Sequence, residues 1–337
     1  MLPAFAVAAG LTAFSLAPGA DTTIAVPHGF SLNVANYSGE VFVEGWNRDA
    51  VRIRSDEDDD ERVSVIPARG FLTVQTASKH QEDREANLRL QVPVWMNVTV
   101  SGVHTDVIVD GTKGQVKVET VHGDVIVRGG RRRIDLNTVN DDICVLDAAG
   151  VVRAETVNGD AYVWRTESDS VDVSTVNGTV VYEGSVRDNG VYRLASHNGD
   201  VAVAVPRDAN AAVAVSTFAG DFESNIPVTL SGTHNPKRFQ FCVGNCSARM
   251  DLQSFQGTIQ IYRAMAAASA RVQRMDRIVD QVIEKRLDRS AERLEDLGSQ
   301  IERATRALTK SFEKAQKKQH RPHESHEENA DRNGDGE

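Results

Sequence analysis

The sequence predicts an all-β fold, a β-solenoid with coils of 18–21 residues, followed by a long C-terminal α-helix and a disordered polar tail. One short motif recurs at a nearly fixed step, and apolar residues alternate with polar ones around every copy. After residue 263 the apolar period changes from that of a strand to that of a helix. The chain of 337 residues therefore has room for one elongated body and an appendage.

The repeated motif is clearest in Thr156-Val157-Asn158-Gly159-Asp160. With its Gly as position zero, the copies are centred on 105, 123, 141, 159, 178, 199 and 220, and weaker copies on 39 and 257. Stacked repeats produce a fixed period of this kind. The gap from 220 to 257 is read as two steps along the stack.

Apolar residues recur at positions −7, −5, +2 and +4, with polar residues such as Lys117 between them. In two consecutive copies they are Val116, Val118, Val125 and Val127, then Ile134, Leu136, Ile143 and Val145. Alternation with a period of two indicates strands with one inward face. Each copy is thus predicted to be strand, tight turn, strand and looser turn, stacked about 4.8 Å apart.

Three positions of the motif form rows along the stack. Position −3 carries inward hydroxyls, and positions −1 and zero carry Asn-Gly pairs that suit a tight turn. Position +1 carries a row of carboxylates, namely Asp106, Asp124, Asp142, Asp160, Asp200 and Asp221. Like charges at strand spacing repel unless they are solvated, capped by N–H groups or bridged by cations. A solvated turn row is the simpler interpretation, and a weak divalent-cation strip is the alternative.

Residues 1–20 are apolar and uncharged and end in small residues, so they are predicted to be a signal peptide. The mature chain would then start near Asp21 and lie in the periplasm or at the cell surface. No other stretch is apolar and long enough to predict a transmembrane span. Residues 21–263 form the predicted repeat domain.

Three sequence features resemble the bacterial putative-adhesin domain of unknown function. They are Leu90-Gln91-Val92-Pro93, Asn97-Val98-Thr99-Val100 and the serial Thr-Val-Asn-Gly-Asp copies. The similarity runs over about residues 28–263 and implies a right-handed β-helix in an extracytoplasmic protein. It brings no catalytic residues, and the sequence departs from the family at Cys246, where Gly is usual.

Cys242 and Cys246 flank Val243-Gly244-Asn245, and an exported chain allows a disulfide across this turn. A metal pair is the alternative, although the sequence nearby offers no partner ligands. The spacing is not that of thiol oxidoreductases. Cys144 occupies an outward position of its copy and is predicted to be a partly packed thiol.

Residues 264–318 are predicted to form an amphipathic, coiled-coil-like helix. Its apolar stripe would be an interface that supports a weak homo-oligomer or binds a partner, and it includes Leu287, Leu294, Leu297, Ile301 and Leu308. Docking of the stripe onto the repeat domain is the alternative. Residues 319–337 are polar and are predicted to be a disordered tail.

The sequence contains no phosphate loop, zinc motif or nucleophile–base pattern, so it predicts no catalytic, cofactor or metal site. A net charge of −10 argues against nucleic acid as a partner. The leading interpretation is a non-enzymatic cell-envelope scaffold or adhesion module with an envelope protein or glycan as partner. The alternatives are a glycan-active enzyme that uses the Asp row, and a metal- or ligand-binding accessory of an envelope sensor.

Overall fold

The computed structural model of the chain describes residues 5–6, 13–16, 21–55, 62–77, 85–228, 230–235 and 237–263. In these ranges the chain forms strands and turns only. The early strands are β1 (Phe5–Ala6), β2 (Phe14–Leu16), β3 (Asp21–Ala25), β4 (Ser31–Trp46), β5 (Ala50–Ser55), β6 (Arg62–Ala68), β7 (Phe71–Ala77) and β8 (Leu88–Pro93). The central strands are β9 (Asn97–Thr112), β10 (Val116–Glu119), β11 (Val125–Gly129), β12 (Arg133–Asn137), β13 (Ile143–Leu146), β14 (Ala149–Glu155), β15 (Ala161–Thr175), β16 (Val180–Gly184), β17 (Val191–Ser196) and β18 (Val201–Val205). The late strands are β19 (Ala211–Thr217), β20 (Phe222–Ser224), β21 (Leu230–Asn235), β22 (Arg238–Val243), β23 (Ala248–Ser254) and β24 (Ile259–Arg263).

Successive copies of the motif pair in parallel, copy upon copy. The strand before each tight turn joins one row, in which Val116 pairs with Ile134. The strand after each tight turn joins a second row, in which Val125 pairs with Ile143. Each residue therefore pairs with the residue at the same motif position in the next copy. The outward side of the first row (β10, β12, β14, β17) is called the first face, and that of the second row (β11, β13, β16, β18) the second face.

The predicted fold, a right-handed β-solenoid with a long C-terminal helix, is wrong. The pairings β9–β10–β12–β14–β15–β13–β11 return to β9, so seven parallel strands close into a ring with further strands outside it. The described residues contain no helix, and residues 264–337, where helix and tail were predicted, lie outside them.

The closure passes through β9 and β15. Each remains one continuous strand through a corner at which most copies turn, and β4 does the same at Gly39. In β9 Thr105 holds the tight-turn position, and the strand continues through it. In β15 the chain passes the looser corner through Arg165 at φ 49°. The two halves of each strand therefore belong to different rows and connect them.

The inward face carries the core that the alternation predicts. Val116, Val118, Val125 and Val127 are at most 1% exposed, as are their counterparts in the following copy. The exposed Lys117 lies between two of them. Burying a large aliphatic side chain stabilises the fold by about 1.5–3 kcal/mol, and this contribution is repeated in every copy of the stack.

The last two copies are not stacked in chain order. β23 lies between β17 and β19, so the copy centred on 257 separates those centred on 199 and 220. The outer edge of β19 pairs with the antiparallel β22, which in turn pairs with β21. The reading of the 220-to-257 gap as two forward steps is therefore wrong. The copy centred on 220 ends the row of tight turns.

Parts of the predicted signal segment are described as strands. β1 pairs with β3, and β2 pairs antiparallel with β6. None of the described segments forms a helix with the length and apolar character that crossing a membrane requires.

Candidate functional site

The tight turns of the copies align along one edge of the molecule. Isolated bridges link His104, His122, Asn140, Asn158 and Asn177 in series, each to its counterpart in the next copy. Positions −2, −1 and +1 of the motif therefore run as three parallel rows. These rows, from Tyr37 to Asp221, are called the turn edge.

Several turns need glycine because consecutive copies approach each other through their backbones. A Cβ atom at Gly178 would lie 2.1 Å from the carbonyl oxygen of Gly159, and one at Gly199 only 1.9 Å from that of Gly178. No side chain fits at such distances. The Asn-Gly pairs of the sequence are thus explained by close stacking as well as by turn conformation.

The hydroxyl row at position −3 is buried, and most of its members hold their turn to the preceding copy. Thr175 Oγ1 donates to the carbonyl oxygen of Gly159 at 2.9 Å, and Ser196 Oγ to that of Gly178 at 2.7 Å. Ser254 Oγ donates to Gly199 O at 3.0 Å. Because these hydroxyls are occupied with backbone carbonyls, their role is structural.

The row at position −1 is a ladder of side-chain amides. Asn158 Nδ2 donates to Asn140 Oδ1 at 2.9 Å, Asn177 to Asn158 at 2.7 Å, and Asn198 to Asn177 at 2.8 Å. Each amide has two N–H groups, and the ladder uses one. The exposed row can therefore still form hydrogen bonds with a partner.

The Asp row at position +1 caps backbone N–H groups. The Oδ1 atom of Asp106 accepts from Asp124 N at 3.0 Å, and that of Asp142 from Asp160 N at 2.7 Å. Asp160 and Asp200 accept from Thr179 N and Thr258 N in the same way. The like charges are thus compensated by backbone dipoles of the next copy. Across the described residues, no three His, Cys, Asp or Glu side chains converge as metal ligands.

Burial raises the pKa of Asp124 and of Asp142 above the ordinary value of an aspartate, and neighbouring carboxylates add to the effect. The hydrogen bonds that these carboxylates accept from backbone N–H groups act in the opposite direction and lower the pKa. The neighbouring carboxylates belong to one row along an edge, an arrangement that differs from the pairing of two carboxylates across a cleft in glycosidases.

Position −2 forms an exposed apolar row that the sequence analysis did not single out. Its seven large exposed members are 36–69% exposed and are Tyr37, Val121, Val139, Val157, Val176, Phe255 and Phe218. The available signal was an apolar residue repeated inside an otherwise polar turn.

The row ends in three stacked rings. The ring of His197 lies parallel to that of Phe255, with centroids 4.7 Å apart and an interplanar angle of 9°. Phe255 stacks in turn on Phe218 at 4.7 Å and 1°. Phe218 is 69% exposed, the largest value among these residues.

A cleft of about 410 Å³ lies between β19, β22 and β23. Its polar lining includes Ser216, Arg238, Gln240, Asp251 and Gln253. Asp251, the one carboxylate among the lining residues, accepts a hydrogen bond from Arg249 Nε at 3.0 Å. A second lining carboxylate would be needed for the two-carboxylate chemistry of glycosidases.

The cysteines are placed at two different locations. Cys242, in β22, is bonded to Cys246 in a disulfide, and Cys246 adopts a left-handed φ of 64°. Cys144 lies in β13 on the second face and is buried, with 6% exposure. The predicted helix interface at Leu287, Leu294, Leu297, Ile301 and Leu308 lies outside the described residues.

No family model matches the chain, and no curated protein sequence matches it. Among solved structures, a putative cell adhesion protein from Clostridium sporogenes is similar at 9% identity and a TM-score of 0.25, covering 72% of this chain and 99% of that one. A putative adhesin from Bacteroides fragilis is similar at 9% identity and a TM-score of 0.40, covering 75% and 98%. A putative adhesin from Parabacteroides distasonis is similar at 9% and 0.28, covering 72% and 96%. These names agree with the family that the repeat resembles, and the function has to be derived from the residues of the turn edge.

Proposed function

We propose that the chain is a non-enzymatic binding module of the bacterial cell envelope, adhesion-like in role, that presents its turn edge to a partner. The observation that carries this proposal is the exposed apolar row, which ends in the stacked rings of Phe255 and Phe218. Contiguous exposed apolar patches on proteins mark interaction sites. The amide ladder beside the row supplies hydrogen-bonding groups of matching spacing.

The state of the carboxylates favours binding over catalysis. A glycan-active enzyme needs one carboxyl group as acid and another as base or nucleophile. Here Asp106, Asp124, Asp142, Asp160 and Asp200 each accept a backbone N–H of the next copy, which fixes them in a structural role. The same chemistry repeats in copy after copy, and this suits an extended partner better than one reacting bond.

The proposed location is extracytoplasmic, with residues 1–20 as the export signal. The apolar, uncharged composition of that segment and the Cys242–Cys246 disulfide support it, because disulfides persist in oxidising compartments. N-terminal sequencing of the protein from its native cells should find a start near Asp21. Recovery of Met1 on cytoplasmic protein would contradict export.

A second contact is proposed for residues 264–318. Their stripe of Leu287, Leu294, Leu297, Ile301 and Leu308 supports weak self-association or the binding of a partner. Light scattering should give a larger species for residues 21–337 than for residues 21–263. If the full-length protein is monomeric at tens of micromolar, self-association is ruled out and binding of a partner remains the proposed role of the stripe.

The binding proposal is tested by cosedimentation of the full chain with a bacterial cell-envelope preparation. The test variant is Val139→Ser with Val157→Ser, which makes the exposed row polar. The control is Asp135→Ser with Arg153→Ser, in the same two copies but on the first face, with no change in net charge. Retention should fall severalfold for the first variant and stay unchanged for the second. Equal retention of both variants would refute the turn edge as the binding surface.

A further inference from the structure

The last turn of the stack, Phe218–Asp221, differs from all those before it. It belongs to the copy centred on 220, and the neighbour of β19 on the outer side is the antiparallel β22. No further tight turn therefore continues the rows in the described part of the chain. One ring face of Phe218 stacks on Phe255, and the side chain is still 69% exposed.

The carboxylate of Asp221 is open for the same reason. The carboxylates of the other Asp residues in the row accept an N–H group from the following copy, as Asp200 does from Thr258 at 2.8 Å. Asp221 has no following copy, and within the described ranges only its backbone oxygen is engaged, by Ile259 N at 2.9 Å. Asp221 is exposed. The turn therefore presents a flat apolar ring and an unengaged carboxylate three residues apart.

We propose that this terminal turn binds a pyranose ring of a neutral glycan. The proposal rests on the adhesion-like function above and names its partner class. The electron-rich face of Phe218 attracts the weakly positive C–H groups on one face of a sugar. The Asp221 carboxylate accepts hydrogen bonds from neighbouring sugar hydroxyls, and such charge-assisted bonds are strong. A bound ring would continue the column of His197, Phe255 and Phe218.

Charge at the edge selects neutral over anionic glycans. The turn edge carries carboxylates at position +1 in most copies, and a polyuronate would be repelled by them. Lys237 Nζ donates to Gly220 O at 2.8 Å and places one cation at the same turn. One ammonium offsets the charge of Asp221 but not that of the row.

The test is isothermal titration calorimetry on the full chain with three probes. Cellohexaose and hexa-N-acetylchitohexaose are the neutral probes, and polygalacturonate is the anionic one. The variants are Phe218→Ala and Asp221→Asn, and the matched control is Phe71→Ala, an exposed phenylalanine in β7 outside the turn edge. All three side chains are exposed, so thermal unfolding should be nearly unchanged.

At least one neutral hexamer should bind, more tightly than polygalacturonate. Phe218→Ala and Asp221→Asn should each weaken this binding about tenfold, and Phe71→Ala should not change it. Failure of both neutral probes to bind, or equal binding by Phe218→Ala, would overturn the inference. If envelope retention still depends on Val139 and Val157 in that case, the proposed function stands and only the glycan is wrong. If protease treatment of the envelope preparation abolishes retention of the chain, the partner is a protein and not a glycan.

Discussion

The two outer faces of the stack obey the same strand alternation and yet differ in chemistry. Outward residues of the first face, such as Lys117 and Arg153, are charged and exposed. On the second face the outward Leu146 is apolar and only 1% exposed, and Ile108 of β9 and Trp164 of β15 are likewise apolar and buried, at 2% and 4%. Arg128 of the same face is charged and half-buried. The alternation of a strand thus fixes which side chains face the interior. It does not determine whether the outward side chains are exposed to solvent or covered by other parts of the protein.

The charges of the first face are compensated along single strands. Lys117 Nζ lies 2.8 Å from Glu119, and an Arg133 nitrogen lies 2.9 Å from Asp135. Such surface pairs contribute little to stability, about 0–1 kcal/mol. The second face instead aligns Cys144 in register with Ile126 and Tyr162. Substitutions should therefore be tolerated at exposed positions of the first face and costly at buried outward positions of the second face, such as Leu146.

Both faces cover the same buried interior, so a substitution in the interior should lower the free energy of unfolding most. Ile143→Asp places an unpaired carboxylate among side chains that are fully buried, and we expect a loss of about 4 kcal/mol or more. Urea unfolding measures the change. Ile143→Val, which removes one methylene, should cost about 0.5–1.5 kcal/mol. Similar losses for the two variants would show that Ile143 does not face the interior.

The comparison of the faces is sharpened by Leu146→Ala and Lys117→Ala. Leu146 is outward but buried, so its truncation should cost about 2–5 kcal/mol. Lys117 is outward and exposed, and its truncation should cost less than about 0.5 kcal/mol. Equal losses would break the distinction between the faces.

Thiol counting tests the burial of the second face together with the disulfide. Folded protein without reductant should show no reactive thiol, because Cys144 is buried and Cys242 is bonded to Cys246. Denatured protein should show one thiol, and denatured, reduced protein three. A reactive thiol in the folded state would mean that solvent reaches Cys144. Two additional thiols without reductant would mean that the disulfide is absent.

The smallest effect is expected where the turn edge enters the second face, at Asp142. Its pKa is raised in the folded state, so the native protein holds this proton at pH values where the unfolded chain has released it. Stability from this group therefore falls as pH rises through the window that begins near 3.8.

Asp142→Asn removes the charge and keeps an oxygen that can accept from Asp160 N. At pH 7 the variant should be more stable than the native protein, by no more than about 0.5 kcal/mol. The difference should vanish well below pH 3.8, the ordinary pKa of an aspartate, where the native carboxyl is also neutral. Thermal unfolding of both proteins across this range gives the difference directly. A variant that is less stable at pH 7 would show that the negative charge contributes more as an acceptor than it costs in repulsion.

Much of the local structure follows from the sequence. The period-two pattern identifies Val125 and Ile143 as interior residues, and the Asn-Gly pairs locate the tight turns, because alternation and turn conformation depend on near neighbours. The inward Thr and Ser row follows from the same parity. The resemblance to the putative-adhesin domain also depends on this local pattern.

The candidate site was only half visible in the sequence. The Asp row was identified, but its hydrogen bonds to the next copy depend on the register between copies. The apolar row at position −2 was overlooked, because one Val in a polar turn carries no signal until several align. The exposed end at Phe218 could not be foreseen, since it depends on the insertion of β23 between β17 and β19.

The sequence by itself determined the repeat, the inward side chains and the turns, since each depends on residues a few positions apart. Only the tertiary structure decided the closure through β9 and β15, the order of the last copies and the burial of Leu146 and Trp164. These features arise from contacts between residues that are distant in sequence. Many pairings satisfy the same alternation, and packing over the whole stack selects among them.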